Sequence, residues 1–302
     1  MVSDPITLLS FGGGQDSTAI LLKIIYDPEF AKRYVRGRLI VIMVNTKNEH
    51  PETYKHIFRI RKLCMLEGIE FILLDPKGYT SDSWGEGLTR FWEKKGAIGS
   101  KAYPKTCTDK LKITPLYNYL EKVLDPESTR KKAFYDYAAA HGPMRVLIGI
   151  AKGEERRVSG EPPQKWMKTA TVREYPLIDL GMDRQACQDY IEQFMPVPPP
   201  SNCMFCPFLS LQELLYLYYK YPREYYRWVA LEQAKIEKNA YQGDLTKTMS
   251  EKTGKIVDNL GVWGKKLLPE MLKEALEKYG HMSLEELEEY KFSHGHCVAS
   301  KY

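Results

Sequence analysis

Short apolar runs alternate with segments of helical periodicity along the first 150 residues. The apolar runs span 6–11, 38–44, 69–74 and 144–150, and each is typical of a strand buried on both faces of a sheet. Between them, apolar residues recur at helical spacing over 19–25, 51–68, 106–123 and 128–140. This order of strands and helices with short links predicts parallel pairing and right-handed crossovers.

The rest of the chain predicts one more strand and a helical C-terminal region. The predicted strand is 175–179, and the predicted helices span 183–194, 209–219, 224–238, 267–279 and 283–290. Residues 75–105 predict a loop-rich insertion with a helix over 83–95, and residues 239–265 predict a loop. We therefore expect an α/β fold with a doubly wound, mainly parallel sheet in a domain of residues 1–207. Residues 208–302 form a helical extension that ends in a cysteine-containing tail.

A glycine-rich turn between the first strand and the first helix carries the strongest chemical signal. Residues 12–14 are three glycines, which allow positive φ and close backbone approach, and residues 16–18 suit a helix start. Such a turn directs backbone N–H groups and the positive end of the helix dipole at one spot, which suits a phosphate. A Walker A lysine is absent, and Ser17 replaces the third glycine of a dinucleotide fingerprint. A glycine turn that binds nothing is the alternative.

Further motifs follow this turn in order along the chain. They are Asn45-Thr46 with Glu49-x-Pro51-Glu52-Thr53-Tyr54, Cys107-Thr108-x-x-Leu111-Lys112-x-x-Pro115, Gly149-x-x-x-Gly153-Glu154-Glu155-x-Arg157, the stretch 175–182, and Cys203-x-x-Cys206-Pro207-Phe208. Together with residues 10–17, the ordered set resembles the phosphoadenylyl-sulfate (PAPS) reductase family of the PP-loop, adenine nucleotide α-hydrolase-like superfamily. The likeness covers roughly residues 6–230 and is closest to the PAPS-reductase-like proteins of bacteria, archaea and phages.

The resemblance implies a site for ATP, or for PAPS or adenylyl sulfate, with Mg²⁺ held by Asp16 or Glu154. The residues expected to bind the nucleotide are Ser10, Gly12, Gly13, Gly14, Asp16, Ser17, Thr18, Asn45, Thr46, Gly149, Lys152 and Arg157. The residues expected to act in catalysis are Asp16, Ser17, Lys112, Arg157 and Cys297. Lysine and arginine side chains neutralise pyrophosphate or sulfate, and arginine suits bidentate contact with an oxyanion.

The six cysteines indicate metal ligation, redox chemistry or buried thiols rather than a disulfide framework. Cys203 and Cys206 have the spacing of a ligand pair or a redox pair. In iron–sulfur members of the family a Cys-Cys pair supplies two more ligands, but this chain has Cys107-Thr108 there. Cys297 would complete a [4Fe–4S] site of Cys107, Cys203, Cys206 and Cys297. Zinc and free or redox thiols are the alternatives, with His296 as a substitute ligand, and Cys64 and Cys187 are predicted to lie in the core.

The C-terminal tail departs from the pattern of true sulfonucleotide reductases. Those enzymes end in Glu-Cys-Gly-Leu/Ile-His, whose cysteine attacks the sulfate sulfur, whereas this chain has Gly295-His296-Cys297. Cys297 activated by His294 or His296 is an alternative to its role as a ligand. The mismatch puts assimilatory sulfate reduction in doubt.

Composition adds bounds on class and partners. The net charge of +5 is mild, and 43% apolar residues suffice for a sizeable core. No signal peptide is seen and no apolar run approaches the length of a membrane span, so we expect a cytoplasmic protein without membrane contact. The lysine and arginine clusters are either solvated surface or walls around a polyanion. The aromatic stripe of residues 209–238 is expected to pack helices together, with base stacking as the alternative.

Three functions are compatible with these features. The first is an ATP-using enzyme that releases pyrophosphate by adenylating an acceptor, with tRNA or DNA as the expected acceptor, and supports sulfur transfer through the cysteine site. The second is a thiol-dependent reductase of PAPS or adenylyl sulfate that needs a thioredoxin-like reductant. The third is a nucleotide-binding subunit of a modification or defence system, without catalysis. A sulfur-donor protein and a second copy of the chain are further expected partners.

Overall fold

A parallel sheet organises the N-terminal two thirds of the chain. The structure is a computed structural model that describes residues 4–101, 106–158, 160, 162, 164–240, 247–249, 254, 256–258 and 260–294. Within these residues, five strands pair in parallel in the order β3-β2-β1-β4-β5. The strands are β1 (Ile6–Ser10), β2 (Arg38–Val44), β3 (Glu70–Leu74), β4 (Met144–Ile148) and β5 (Thr171–Glu174).

Helices cover both faces of this sheet and form the C-terminal region. Those before β4 are α1 (Gln15–Tyr26), α2 (Pro28–Tyr34), α3 (Pro51–Leu66), α4 (Asp82–Gly85), α5 (Leu88–Lys95), α6 (Thr106–Thr108), α7 (Thr114–Leu124) and α8 (Lys132–His141). Those after β4 are α9 (Lys165–Ala170), α10 (Pro176–Asp179), α11 (Arg184–Glu192), α12 (Leu211–Lys220), α13 (Pro222–Ala240), α14 (Leu268–Tyr279) and α15 (Leu284–His294). A π-helical turn (Asp109–Ile113) joins α6 to α7, and Glu155–Arg157 is a 3₁₀ turn.

Alternating strand residues build two cores, one on each face of the sheet. Leu8 and Ile42 pack with α7, α8 and α9, whereas Leu9 and Val41 pack with α1, α3 and α11. This division follows because successive strand residues point to opposite faces. The α/β class and the parallel sheet predicted from the sequence are therefore confirmed, and Cys64 and Cys187 are fully buried in the second of these cores, as expected.

A third core joins the C-terminal helices to earlier segments. Leu88 and Trp92 of α5 pack in the same cluster as Phe205, Trp228 and the buried residues of α12 and α14. In α12 and α13, Tyr216, Tyr225 and Trp228 of the aromatic stripe are buried as predicted, whereas Tyr219 and Tyr226 are exposed. No helix in the described parts of the chain combines the length and apolar composition that a membrane span requires.

Two helices have ends that their local sequence favours. Pro51 begins α3, and Gly68 follows its end with a φ of +65°, the left-handed conformation that favours glycine. At α15, the Glu286 backbone N–H donates to Ser283 Oγ (3.2 Å), and Ser283 N–H donates to a Glu286 carboxylate oxygen (2.7 Å). This reciprocal pair is a capping box.

The fifth strand was predicted over residues 175–179, but it lies one segment earlier in the chain. Residues 171–174 form β5 beside β4, whereas Pro176–Asp179 is the short helix α10. Pro176 has no N–H to give to a sheet and its fixed φ suits the first position of a helix. Thr171 and Val172 are β-branched and fit the strand instead.

Two loop predictions also need correction. Within the predicted loop 239–265, the strands β6 (Lys247–Met249) and β7 (Ile256–Asp258) pair antiparallel, and both carry β-branched residues. The predicted helix 83–95 is divided into α4 and α5 at Gly87, whose φ is +98°. The helix α2, capped by Asp27 through Phe30 N–H (3.0 Å), was not predicted.

Candidate functional site

The strand order reverses between β1 and β4, and this point fixes the candidate site. The chain leaves β1 through α1 on one face of the sheet, and it leaves β4 through α9 on the other face. The two connections diverge above the carboxyl ends of adjacent strands. Open α/β sheets bind ligands in the crevice that this divergence leaves.

Gly13 and Gly14 of the turn, together with Gly149, let the backbone close tightly around the start of α1. Gly13 has a φ of +74°, and a Cβ there would lie 3.2 Å from Met43 Cε. A Cβ on Gly149, the residue after β4, would lie 2.7 Å from the Ser17 backbone nitrogen. Real Cβ atoms do not approach a backbone that closely, so only glycine lets β4 reach the N-terminus of α1.

Ser17 braces the turn from inside the helix. Its Oγ accepts a hydrogen bond from Gly12 N–H (3.2 Å) and donates to the Gly14 carbonyl (3.3 Å). The first residues of α1 have no side-chain cap. Their N–H groups therefore face the crevice, where the helix dipole favours an anion.

A cavity of about 470 Å³ opens at this point, the size of a small-molecule site. Its apolar wall comes from Ile42 and Val44 of β2, Val146 and Ile148 of β4, and Leu116 of α7. The cationic side chains in its wall are Lys112, Arg157, Arg173 and Arg184, and its acidic side chains are Asp16 and Asp109. The cavity therefore joins an apolar recess to a charged mouth beside the glycine turn.

Two carboxylates and two arginines form a buried cluster at the mouth. Arg157 ion-pairs with Glu154 and lies 3.7 Å from Asp16 Oδ2, while Arg184 Nη2 lies 2.6 Å from Glu154 Oε1. Burial, and next the nearby Glu154 charge, raise the pKa of Asp16 to about 6, and Arg157 opposes this shift. Asp16 is thus ionised at neutral pH but holds a proton more readily than an exposed aspartate.

A proline-rich segment covers the turn from the other side. Gln15 Nε2 donates to the Pro198 carbonyl (3.0 Å) and Gln15 Oε1 accepts from Gln188 Nε2 (3.1 Å). A Cβ on Gly14 would lie 2.9 Å from Ser201 Oγ. Residues 198–201 therefore fix the outer rim of the cavity, to which Pro200 and Ser201 contribute.

The structure brings most of the predicted phosphate and catalytic residues into this wall. The predicted residues that line the cavity are Ser10, Gly12, Gly14, Asp16, Ser17, Lys112, Gly149 and Arg157. They come from the continuous stretch 10–17, from the π-helical turn after α6 and from the connection after β4. Cys297, the remaining predicted catalytic residue, lies outside the described residues, as does His296.

Other predicted binding residues point elsewhere. Thr18 is buried, with its hydroxyl 2.8 Å from both the Gly14 carbonyl and His56 Nε2. Asn45 Oδ1 accepts from Tyr54 Oη (2.8 Å), and Thr46 Oγ1 donates to Glu49 Oε1 (2.9 Å). Gly13 shapes the turn without lining the cavity, and Lys152 faces a separate cleft.

Lys112 connects the cavity to a buried thiol. Its Nζ lies 3.9 Å from Glu49 Oε1, and Cys203 Sγ lies 3.7 Å from the same oxygen. Burial, and next the Glu49 charge, raise the pKa of Cys203 well above that of a free thiol, whereas Lys112 lowers it. Cys203 is therefore a neutral thiol in this arrangement, not a thiolate nucleophile.

The described cysteines do not by themselves form the predicted cluster site. Cys107 and Cys206 are close enough to Cys203 to affect its pKa. However, across the described residues no group of three or more His, Cys, Asp or Glu side chains could hold a metal ion. Because Cys297 lies outside those residues, the four-cysteine [4Fe–4S] or zinc site stays a prediction.

Several polar residues of the cavity were not among the predicted site residues, and Arg173, Gln164 and Arg184 are examples. Arg173 belonged to a basic cluster noted in the sequence, and its position on β5 brings it to the cavity. Gln164 precedes α9 and gave no signal. Arg184 follows the helix cap Asp183, and nothing in that local pattern distinguishes a cavity residue from a surface one.

Comparison with known proteins identifies no relative, because no protein-family model matches the chain and no curated protein matches it. The function proposed below therefore depends on the geometry of the cavity and on the sequence motifs.

Proposed function

We propose that this chain is a PP-loop enzyme similar to the PAPS-reductase-like proteins, which binds ATP and releases pyrophosphate by adenylating an acceptor. One observation carries the proposal. The glycine turn, the start of α1 and four cationic side chains meet at the strand-order reversal, beside an apolar recess. That combination suits a molecule with a flat apolar ring at one end and several phosphates at the other.

Each part of the cavity has a role in this proposal. The apolar recess between Val146 and Leu116 takes the adenine ring. The backbone N–H groups of the turn and of α1 hold phosphate oxygens, with the Ser17 hydroxyl beside them. Lys112 and Arg157 neutralise the negative charge that builds up on the leaving pyrophosphate.

The reaction moves one adenylyl group. A nucleophilic oxygen of the acceptor forms a bond to the α-phosphorus, and the bond from that phosphorus to the bridging oxygen of the β-phosphate breaks. The pyrophosphate leaves with that electron pair. In this proposal Asp16, whose pKa is raised to about 6, takes the proton of the acceptor.

Mg²⁺ fits the same end of the cavity. Asp16 lines the cavity, and Glu154 is close enough to raise the pKa of Asp16, so the two carboxylates would supply oxygen ligands to an ion that also binds phosphate oxygens. The ion would neutralise phosphate charge when bound. Sulfur transfer after adenylation stays a prediction, since Cys297 is outside the described residues.

The products of ATP cleavage test the proposal. The protein is incubated with α-labelled ATP and Mg²⁺, with and without single-stranded DNA or tRNA, and the products are separated by chromatography. We expect pyrophosphate together with AMP or an adenylated acceptor. ADP and phosphate would contradict the proposal, because they require cleavage at the γ-phosphate.

Two lysines provide a matched pair for this assay. Lys112→Met should slow pyrophosphate release by about 100-fold, because it removes a charge that faces the leaving group. Lys110→Met removes the same charge from an exposed side chain paired with Asp109 (3.2 Å) and should change the rate less than about twofold. ATP binding without cleavage would favour a nucleotide-binding subunit, and sulfite release from PAPS would favour the reductase.

A further inference from the structure

A second cleft lies between the α/β region and the C-terminal helices. It has a volume of about 650 Å³ and is lined by residues of the β4–α9 connection, the start of α11, the segment before α12, and α15. Arg184 lines both this cleft and the cavity described above. The two spaces therefore meet at one side chain.

The carboxylates in the cleft wall are already engaged. Both oxygens of Glu213 accept hydrogen bonds, from Asn202 Nδ2 and from Ser210 N–H (2.9 Å each). Asp183 caps α11 through Ala186 N–H (2.9 Å), and Glu154 pairs with two arginines. Neutral N–H donors hold Glu213 and Asp183 in place, whereas Glu154 is the one of the three that pairs with cationic side chains in the described residues.

Two lysines contribute positive charge to the same wall. Lys101 and Lys152 are exposed, and neither forms an ion pair with any part of the chain that the structure describes. Lys101 Nζ lies 4.6 Å above the Trp263 ring, a cation–π contact that orients its ammonium group. The two ammonium groups line the cleft without an ion-paired carboxylate, so each can contact a phosphate there.

Aromatic rings stand beside these charges. Phe208 and Tyr290 are half-buried in the cleft wall, and the Tyr290 ring stacks on His294 with centroids 4.6 Å apart and an interplanar angle of 12°. Arg184 also donates to the Ser293 carbonyl (3.1 Å), which ties the end of α15 to the shared wall. A flat ring with attached phosphate has the shape and charge that this wall accommodates.

We infer that the cleft is the acceptor site and binds a nucleotide unit, with its phosphate on Lys101 and Lys152 and its base against the Tyr290 side. As an acceptor site, it rests on the proposed function. The shared Arg184 wall places the acceptor next to the phosphates of ATP. The nucleotide unit can come from a nucleic-acid strand or from a free nucleotide.

Fluorescence anisotropy of a labelled, single-stranded 12-mer tests this inference. Binding is measured over a range of salt, with and without saturating α,β-methylene-ATP, which cannot be cleaved between the α- and β-phosphates. We expect the 12-mer to bind in both conditions, because the two spaces are separate. The variant Lys101→Ala/Lys152→Ala should reduce the slope of log affinity against log salt by about 1.4, the value for two lost phosphate contacts on a single strand.

Matched variants separate the cleft from general charge. Lys32→Ala/Lys273→Ala removes the same charge from exposed helix positions and should leave the slope unchanged. Tyr290→Leu should weaken binding about fivefold or more through lost stacking. Free AMP and an unlabelled strand are compared as competitors at equal nucleotide concentration. Equal displacement of the labelled 12-mer identifies a free nucleotide as the source, whereas much stronger displacement by the strand identifies nucleic acid.

The outcomes distinguish this inference from the proposed function. Wild-type protein that binds α,β-methylene-ATP but neither the 12-mer nor AMP in the cleft overturns the inference alone. The same follows if the cleft variant keeps the wild-type salt slope, or if the ATP analogue displaces the 12-mer. Protein that binds the 12-mer but no ATP analogue overturns the proposed function and leaves a nucleotide-binding cleft.

Discussion

Two carboxylate clusters lie near Lys112, and they differ in the cationic side chains that accompany them. On the cavity side, Asp16 and Glu154 share Arg157, and Glu154 has Arg184 as a second partner. On the other side, Glu49 is almost fully buried, its nearest cationic atom is Lys112 Nζ at 3.9 Å, and its Oε2 has no hydrogen-bond partner among the described residues. Its other neighbours are a hydroxyl and the Cys203 thiol.

The difference indicates what each cluster can do. The arginines oppose the burial that raises the pKa of Asp16, and this carboxylate lines an open cavity, where a cation and phosphates can reach it. Glu49 instead raises the pKa of a buried thiol and keeps it neutral. The first cluster is suited to binding charged ligands, whereas the second keeps the Cys203 thiol protonated. Five substitutions, in four experiments, test this contrast.

The largest expected effect is that of Arg157→Met. This substitution removes the arginine beside Asp16, and Glu49 has no such arginine in the described residues. Arg157 is 8% exposed and is shared between two carboxylates. Its loss should reduce the free energy of unfolding by about 3 kcal/mol at pH 8. The loss should be smaller at pH 5, because Asp16 then takes up a proton. Guanidinium denaturation at both pH values measures this.

The neighbouring Arg156 provides the control. It is exposed, so Arg156→Met should change stability by less than about 0.5 kcal/mol. Equal effects of the two substitutions would show that the cluster contributes no more than a surface charge.

A smaller effect is expected from Gly149→Ala, which disturbs the backbone beneath the cavity cluster. The added Cβ would lie 2.7 Å from Ser17 N and 3.0 Å from Asp16 Cβ, so β4 and α1 must separate. We expect a loss of about 2 kcal/mol and weaker ATP binding. Thermal denaturation with and without ATP measures both effects. Gly160→Ala, where an added Cβ meets nothing within 4 Å, should change neither.

Asp16→Asn should stabilise the protein while it stops turnover. The pKa of Asp16 is raised by burial to about 6, so the native state binds a proton more tightly than the unfolded chain. The ionised carboxylate therefore costs stability above pH 6, and this cost disappears as the pH falls towards 4. The variant should be more stable by about 2 kcal/mol at pH 8 and no more stable at pH 4. Denaturation at a series of pH values tests this, with the exposed Asp189→Asn as control; an advantage that persists at pH 4 would refute the linkage.

The cavity cluster was largely predictable from the sequence because its frame is local. A buried strand, a glycine turn and a helix start occur in direct succession, so residues 10–17 signal an anion site without knowledge of the fold. Gly149 and Arg157 follow another predicted strand. The parallel sheet then implies that both segments meet at one edge.

The rest depends on contacts between distant segments. Glu49 and Cys203 meet in an isolated antiparallel bridge, and Met204 N–H donates to the Asn48 carbonyl (2.9 Å). No periodicity in the sequence marks such a bridge. The sequence therefore assigned Cys203 to a motif but did not indicate that Glu49 lies beside it. Arg184 reached the cavity through the packing of α11 against α1, which the sequence pattern does not specify. The fifth strand was misplaced because 175–179 is apolar, although Pro176 favours a helix start.

The smallest expected effect is a change in the reactivity of the Cys203 thiol, in opposite directions for substitutions of Glu49 and of Lys112. Glu49→Gln removes a charge that raises the pKa of the Cys203 thiol, so alkylation of Cys203 by iodoacetamide should speed up at a given pH. Lys112→Met removes a charge that lowers the same pKa, so alkylation should slow down. Mass spectrometry of the Cys203 peptide over a pH series measures both rates, and denatured protein gives the reference rate. Rates that change in the same direction in both variants would mean that the substitutions alter access to the thiol, and the electrostatic contrast between the clusters would be refuted.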